Sequence, residues 1–307
     1  MAVRAVFNKT LQSIAKRDKR IFMILADIGY GEIEPFAESF PDRYFNVGVA
    51  EQNMTGVACG VAMEGNIAIT YSIANFPTLR CLEQIRNDVC YHKANVKIVI
   101  IGGGLAYGSL GVSHHSTEDL AIMRALPDMV VVAPADFEEA KQATHAMIAH
   151  DGPVYYRCGY KKEPNLHKGG IDFKFGKAIQ VCDGRDVTLI GTGTITYRAY
   201  QAAELLKKQG VKARVISMHT VKPIDKEAIL AAAKETGGII TVEEHQVTGG
   251  LGGAVAEVLA DAGIGIPFKR IGLPDSYVHC VGSHEWLLDK FGFSPEAIAD
   301  VVKGIIK

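Results

Sequence analysis

Short apolar runs alternate with amphipathic segments along most of the chain. Runs rich in Val, Ile and Leu at 21–26, 67–71, 96–102, 129–133 and 154–157 read as buried strands. Segments 51–63, 78–92, 117–126 and 137–149 carry the three-to-four-residue apolar spacing of helices, as does the amino end. The helix from 137 has Asp136 in the N-cap position and Glu139 three residues on, a capping-box-like start. A polar stretch with Pro164, Gly169 and Gly170 then interrupts the pattern. Beyond it, strands at 186–190, 213–217, 238–242 and 267–272 alternate with helices at 197–208, 226–235, 252–262 and 295–306. Such alternation predicts an α/β protein whose mostly parallel sheets are flanked by helices. Two domains are expected, at 1–165 and 179–307, with a linker over 166–178.

Composition narrows the function classes. Lys plus Arg is 33 and Asp plus Glu is 34, a net charge of −1. A strongly basic nucleic-acid binder is excluded, so no nucleic-acid partner is expected. The six cysteines form no CxxC pair and no zinc spacing, as in reduced core residues of a cytoplasmic protein. The amino end has charges throughout and lacks a signal peptide's apolar stretch, and no run reaches the length of a membrane span. The expectation is a cytoplasmic protein with no membrane partner.

Several segments carry candidate chemistry. In Val47-GVAEQNMTGVACGVAMEG, Glu51 opens a helix of small residues. An acid at a helix start commonly serves the helix dipole. The lack of bulk at Gly56, Ala58, Gly60 and Ala62 adds a second reading: a closely approached, dry site whose carboxyl shares a proton with a ligand. Gly102-GGLAYGSLGVSHHSTEDL places His114 and His115 in a Gly-rich loop between a strand and a helix. Ligands of parallel sheets bind at that end of the strands, and a solvated loop is the alternative. Arg157, Lys161 and Lys162 at the end of a strand suit a phosphate or carboxylate, or simply a solvated edge. Gly191-x-Gly193 lacks the third glycine of a dinucleotide site, with Thr196 in its place, and reads as a tight turn. Glu243-EH precedes a Gly-rich helix start, where close backbone packing is favoured over a metal site.

The order of these pieces resembles the carboxy-terminal half of transketolases, and more closely the small, pyrimidine-binding subunit of split transketolases. The matching motifs are Leu25-ADIG, Val47-GVAEQNM, Cys81-LEQIRND, Ser113-HHSTEDLAIMRALPDMVVVAPAD, Pro153-VYYR, Ser217-MHTVKPID, Glu243-EHQVTGGLGGAVAEVL and Gly282-SHEWLLDKFG. The resemblance implies a thiamine diphosphate pyrimidine-binding domain followed by a transketolase C-terminal-like domain. It implies that Glu51 hydrogen-bonds the aminopyrimidine and promotes the tautomer that removes the thiazolium proton. It also implies that Phe76 stacks on that ring, with Ile73 and Leu79 standing where the family has further aromatics. Asp27 matches an Asp near the cofactor, and His114 a His that contacts the donor. His115 stands in place of the usual Gln, and Arg157 lies near the family's substrate-phosphate residues.

Departures from the family pattern carry their own expectations. Ser109-Leu110 replaces an acidic pair whose Asp bonds a donor hydroxyl, so recognition of ordinary ketose phosphates is weakened. No Gly-Asp-Gly occurs in the 307 residues, so the diphosphate and Mg²⁺ are held elsewhere. The implied partner is a large subunit resembling the amino-terminal half of transketolase, in a heterotetramer with two copies of each chain. The implied reaction moves a two-carbon ketol, or a related acyl unit, between small carbonyl compounds. Competing readings are the β subunit of a 2-oxo-acid decarboxylating dehydrogenase component, a non-catalytic scaffold subunit, and a nucleotide-binding redox protein built on Gly191-x-Gly193.

Overall fold

The computed structural model describes residues 2–29, 31–160, 164–167 and 169–306. The first half runs α1 (Val3–Ala15), β1 (Ile21–Leu25), α2 (Glu34–Ser39), β2 (Tyr44–Asn46), α3 (Glu51–Met63), β3 (Ile67–Ile73), α4 (Asn75–Leu79), α5 (Leu82–Gln84), β4 (Val96–Ile101), α6 (Asp119–Ala125), β5 (Val130–Val132), α7 (Phe137–Ala149) and β6 (Val154–Cys158). The second runs β7 (Ile179–Cys182), β8 (Val187–Gly191), α8 (Thr196–Lys207), β9 (Ala213–Ser217), β10 (Thr220–Lys222), α9 (Lys226–Glu235), β11 (Ile239–Gln246), α10 (Leu251–Asp261), β12 (Phe268–Leu273), α11 (His284–Lys290) and α12 (Pro295–Ile305).

A seven-stranded sheet has the order β10-β5-β6-β4-β3-β1-β2, and a five-stranded sheet the order β12-β11-β8-β9-β7. All pairings are parallel except β10 with β5 and β7 with β9. The central strand β4 is buried at every position, because helices cover both faces of its sheet. On one face, Phe7 and Leu11 of α1 and Met147 of α7 pack on Met23 and Tyr156. On the other, Met54 and Ala58 of α3 and Ile85 and Val89 pack on Ile98 and Ile100. The second sheet is sandwiched likewise, between a layer containing Leu206 and Val302 and one containing Ile229 and Val255.

Several elements differ from the pattern reading. Strand β10 follows β9 in sequence yet joins the first sheet, pairing Thr220 with Val132. Its Val221 enters the first domain's core, so the two units share a sheet edge. The segment 78–92 is not one helix: α4, α5 and a π-helical stretch, Ile85–Cys90, divide it. Pro77 lies within α4, and the Thr78 hydroxyl donates to the Ala74 carbonyl at 2.5 Å, a local bond that competes with regular helix. Strands β2 and β7 lie at sheet edges with partly exposed residues, which removes the alternation that marks a strand.

Leu166 and His167, at the start of the expected linker, are pinned to the N-terminus of α7. One Asp136 carboxylate oxygen accepts from Glu138 N and Glu139 N, capping α7. The other accepts from Leu166 N and His167 N, both at 2.9 Å. Glu139 accepts from Ala135 N at 2.7 Å, one residue before the position a capping box would use, and pairs with His167 at 2.7 Å.

Candidate active site

Because β1, β3, β4 and β6 are parallel, the loops at their carboxyl ends meet along one edge. Asp27 follows β1 with φ +53°, the left-handed region. It is held against β2: its N–H donates to Asn46 Oδ1 at 3.0 Å, and Asn46 Nδ2 donates to its Oδ1 at 3.1 Å. Ile73 ends β3, while Phe76 and Leu79 follow on α4. The loop after β4 carries His114 and His115 and is clasped at its base by Gly104 and Ser116, which exchange two backbone hydrogen bonds.

Glu51 is the first residue of α3 and only 3% exposed. Its carboxylate pairs with Arg80 Nη1 at 2.7 Å. The same guanidinium lies 5.0 Å from the centroid of the Phe76 ring. Phe76 in turn meets the His114 ring edge-on at 5.2 Å. His114 is held by Ser113 Oγ at 3.0 Å from Nδ1, and Asn75 Nδ2 fixes the loop by donating to the Ser113 carbonyl at 2.8 Å. Tyr107 extends this aromatic row, 6.1 Å from His114 and 4.4 Å from Tyr160. Glu51, Phe76 and His114 therefore stand together, with Ile73 partly buried beside them in sequence and Leu79 47% exposed. Leu110 and Val112, near His114 on the same loop, are 52% and 54% exposed.

His115 faces inward. It is 4% exposed, and neither ring nitrogen makes a hydrogen bond of good geometry. Burial pushes its imidazole below the ordinary range, against the pull of the Glu244 charge.

Arg157 has a different setting from the exposed strand end that its sequence neighbours suggested. It is 7% exposed and donates to Asp119 through Nε at 2.8 Å and Nη2 at 3.2 Å. Nη2 also meets the carbonyls of Ser116 at 3.2 Å and Glu244 at 2.9 Å. Burial opposes its charge, but Asp119 and Glu244 outweigh burial and raise its pKa. Arg157 lines a cavity of about 470 Å³ between the domains, together with Tyr160, Arg198 and His284. Lys161 and Lys162 lie outside the described residues.

Sequence reasoning missed the groups that tie these pieces together. Asp119 also accepts from Tyr155 Oη at 2.9 Å, and Tyr155 Oη lies 3.0 Å from Thr78 Oγ1 on α4. A buried chain of polar contacts thus runs from the helix of Phe76 through Tyr155 and Asp119 to Arg157. Glu244 continues it into the second domain: its carboxylate takes Leu105 N at 2.6 Å and His284 Nε2 at 2.8 Å. Burial works against the Glu244 charge, but His284 and Arg157 prevail and hold its pKa low. Glu243 accepts from Leu251 N and Gly252 N at the start of α10, and a Cβ at Gly250 would lie 2.1 Å from Glu243 Oε2. That is the close backbone packing its sequence suggested. Asp119 lies within the Ser113–Asp136 motif and Arg80 just before Cys81-LEQIRND, but nothing in the sequence names their partners, which are fixed only by the fold.

The sheet edge carrying a buried acid, an aromatic face and a loop histidine belongs to the first α/β unit, and a second α/β unit follows it. Comparison with known proteins gives the same division. Residues 1–160 match the family described as transketolase, pyrimidine binding domain, and residues 176–298 match transketolase, C-terminal domain. An apulose-4-phosphate transketolase subunit of Phocaeicola vulgatus is 38% identical over 309 residues, covering 100% of this chain and 98% of the relative. A putative transketolase C-terminal section of Methanocaldococcus jannaschii is 40% identical over 300 residues, covering 97% and 94%. A solved split gene transketolase, described as an inactive β4 tetramer, superposes with a TM-score of 0.90 at 37% identity, covering 100% and 98%. The chain belongs to the transketolase family.

Proposed function

We propose that this chain is the small, pyrimidine-binding subunit of a two-component transketolase that moves a two-carbon ketol unit, or a related acyl unit, between carbonyl compounds. The observation that carries the reading is the convergence of Glu51, Phe76 and His114 at one sheet edge. The residues fit an aminopyrimidine. A buried carboxylate and an aromatic face stand close enough for one planar, nitrogen-rich group to touch both, as the Arg80 guanidinium does. Thiamine diphosphate, when bound, supplies the nucleophilic thiazolium carbon and the electron sink for carbon–carbon bond cleavage. Glu51 holds and moves the proton at the pyrimidine ring, and Phe76 orients that ring by stacking. His114 is poised to hydrogen-bond the donor oxygen, with Ser113 fixing its ring. Asp27, Ile73 and Leu79 complete the cofactor side; His115 and Arg157 stand on the substrate side, Arg157 chiefly as the anchor of the loop.

Among the described residues no group of three or more His, Cys, Asp or Glu is arranged to hold a metal ion. The proposed assembly places Mg²⁺ and the diphosphate on a large subunit, in a heterotetramer with two copies of each chain. The open face of α3 suits such an assembly: a Cβ at Gly56 or Gly60 would meet nothing within 4 Å, and Met63 is 65% exposed. No helix among the described residues is long and apolar enough to cross a membrane; a cytoplasmic site of action is proposed from the family resemblance. The domain division proposed is 1–165, 166–178 and 179–307.

The test is reconstitution with the product of an adjacent frame carrying Gly-Asp-Gly. Two-carbon transfer from a ketose is expected, and Glu51→Gln abolishes it while the assembly persists by gel filtration. Carbon dioxide release from a 2-oxo acid would instead favour the dehydrogenase-type β subunit. Failure of the assembled pair to bind thiamine diphosphate with Mg²⁺ in calorimetry would leave a scaffold.

A further inference from the structure

Arg80 belongs to no motif, yet its side chain touches two groups assigned to the cofactor. Its Nη1 lies 2.7 Å from Glu51 Oε2, and its guanidinium carbon lies 5.0 Å from the Phe76 ring centroid. A guanidinium and an aminopyrimidine share the relevant chemistry. Both are planar and both stack on an aromatic face, and a pyrimidine protonated at its ring nitrogen presents an N–H to a carboxylate as the guanidinium does. From these contacts we propose that Arg80 is a displaceable placeholder for the aminopyrimidine ring: it closes the site in the free chain and swings out when the cofactor enters. The inference rests on the reading of Glu51 and Phe76 as the pyrimidine site.

Three observations favour displacement over shared occupancy. One side chain uses both recognition contacts, so a ring pairing with Glu51 and stacking on Phe76 competes with it directly. Arg80 is anchored only at its tip, because its side chain is 49% exposed while that of Glu51 is 3% exposed. Its backbone is fixed separately, by Gln52 Nε2 donating to the Arg80 carbonyl at 3.1 Å, so the side chain can leave without the helix moving. The placeholder also has a physical purpose. An ionised carboxylate as buried as Glu51 is costly without a partner, and Arg80 provides one until the cofactor does.

The experiment titrates the full-length chain with thiamine, the aminopyrimidine-bearing probe, by calorimetry. Wild type, Arg80→Ala, Arg80→Met and Phe76→Ala are compared, with circular dichroism confirming folding. Arg80→Met keeps the apolar stem should the shorter variant fail to fold. Removing the placeholder spares the ligand one ion pair and one cation–π contact, so either Arg80 variant is expected to bind about tenfold more tightly, about 1.4 kcal/mol. Phe76→Ala is expected to bind more weakly. In wild type, the nitrogen-15 signal of Arg80 Nε should move to the position of a solvated arginine on saturation. Wild-type binding with no gain in the Arg80 variants, or an unmoved Arg80 signal, overturns the placeholder alone. Folded wild type and variants that all fail to bind thiamine overturn the placeholder in the free chain, whereas the pyrimidine-site reading stands or falls on binding by the assembled pair.

Discussion

Replacing Asp119 by alanine should cost this protein about 3–5 kcal/mol, the loss typical of removing one partner from a buried ion pair. The structure explains the size. Asp119 is 1% exposed and takes Arg157 Nε at 2.8 Å, Arg157 Nη2 at 3.2 Å and Tyr155 Oη at 2.9 Å. Without it, a guanidinium 7% exposed keeps only two backbone carbonyls, of Ser116 and Glu244, and no opposite charge in direct contact. Tyr155 Oη also loses its acceptor, which loosens Thr78 and the helix carrying Phe76. For a cooperative unit the size of the first domain, the loss lowers the melting temperature by on the order of 10 °C. Chemical denaturation followed by circular dichroism measures it. A second variant isolates the cause: Asp119→Leu with Arg157→Met removes both charges at similar volume and should recover most of the loss, because the desolvation cost disappears with the pair. A loss under about 1 kcal/mol for Asp119→Ala, the scale of an exposed pair, would refute the claim that this pair is buried and essential. So would a double variant as unstable as the single one, because an orphaned charge would then not be the cause.

Two further predictions concern pH. Lys97 is fully buried, and its Nζ donates to the carbonyls of His150 at 2.7 Å and Gly152 at 2.6 Å. Burial lowers its pKa from 10.5 to about 7. Between those values the unfolded chain binds the extra proton, so wild-type stability rises with pH relative to Lys97→Met, by at most about 1.4 kcal/mol per pH unit; a flat difference in denaturation free energy across that window would contradict it. The His167–Glu139 pair should behave in the opposite sense on the His side. Burial lowers the His167 pKa, but the Glu139 hydrogen bond and charge outweigh it and raise the pKa above 6.5. The stabilisation is complete below the unfolded value and is lost as pH rises through the folded one. His167→Ala should therefore be more damaging near about pH 6 than near about pH 9, and an equal effect at both pH values would count against a charged His167.

Much of the chemistry was legible because it lies in contiguous sequence. Glu51 opens α3 as the apolar spacing required, yet its carboxylate serves neither as N-cap nor to neutralise the helix dipole alone, because Arg80 reaches it across the fold. His114 sits in the loop after β4 and Phe76 on α4 just after β3, at the end of the strands where a parallel sheet gathers its connections. Arg157 was legible as a basic residue at a strand end. Its engagement was not, because Asp119 comes 38 residues earlier and Glu244 87 residues later.

The sequence by itself determined the alternation of strands and helices, the cap at Asp136 and the tight turn at Gly191, whereas the acid, ring and imidazole proposed for the site were named through the family resemblance. The alternation, the cap and the turn follow from local rules: side-chain period, backbone donors at a helix start, and steric access at glycine. Only the tertiary structure decided that β10 completes the first domain's sheet, that Arg80 stands between Glu51 and Phe76, and that Arg157 is spent on Asp119 and the Glu244 carbonyl. Each of these is a pairing between residues distant in the chain. A strand of three residues has no periodicity to announce it, and a charge is silent about its partner until burial removes water and leaves the opposite charge as the only means of compensation.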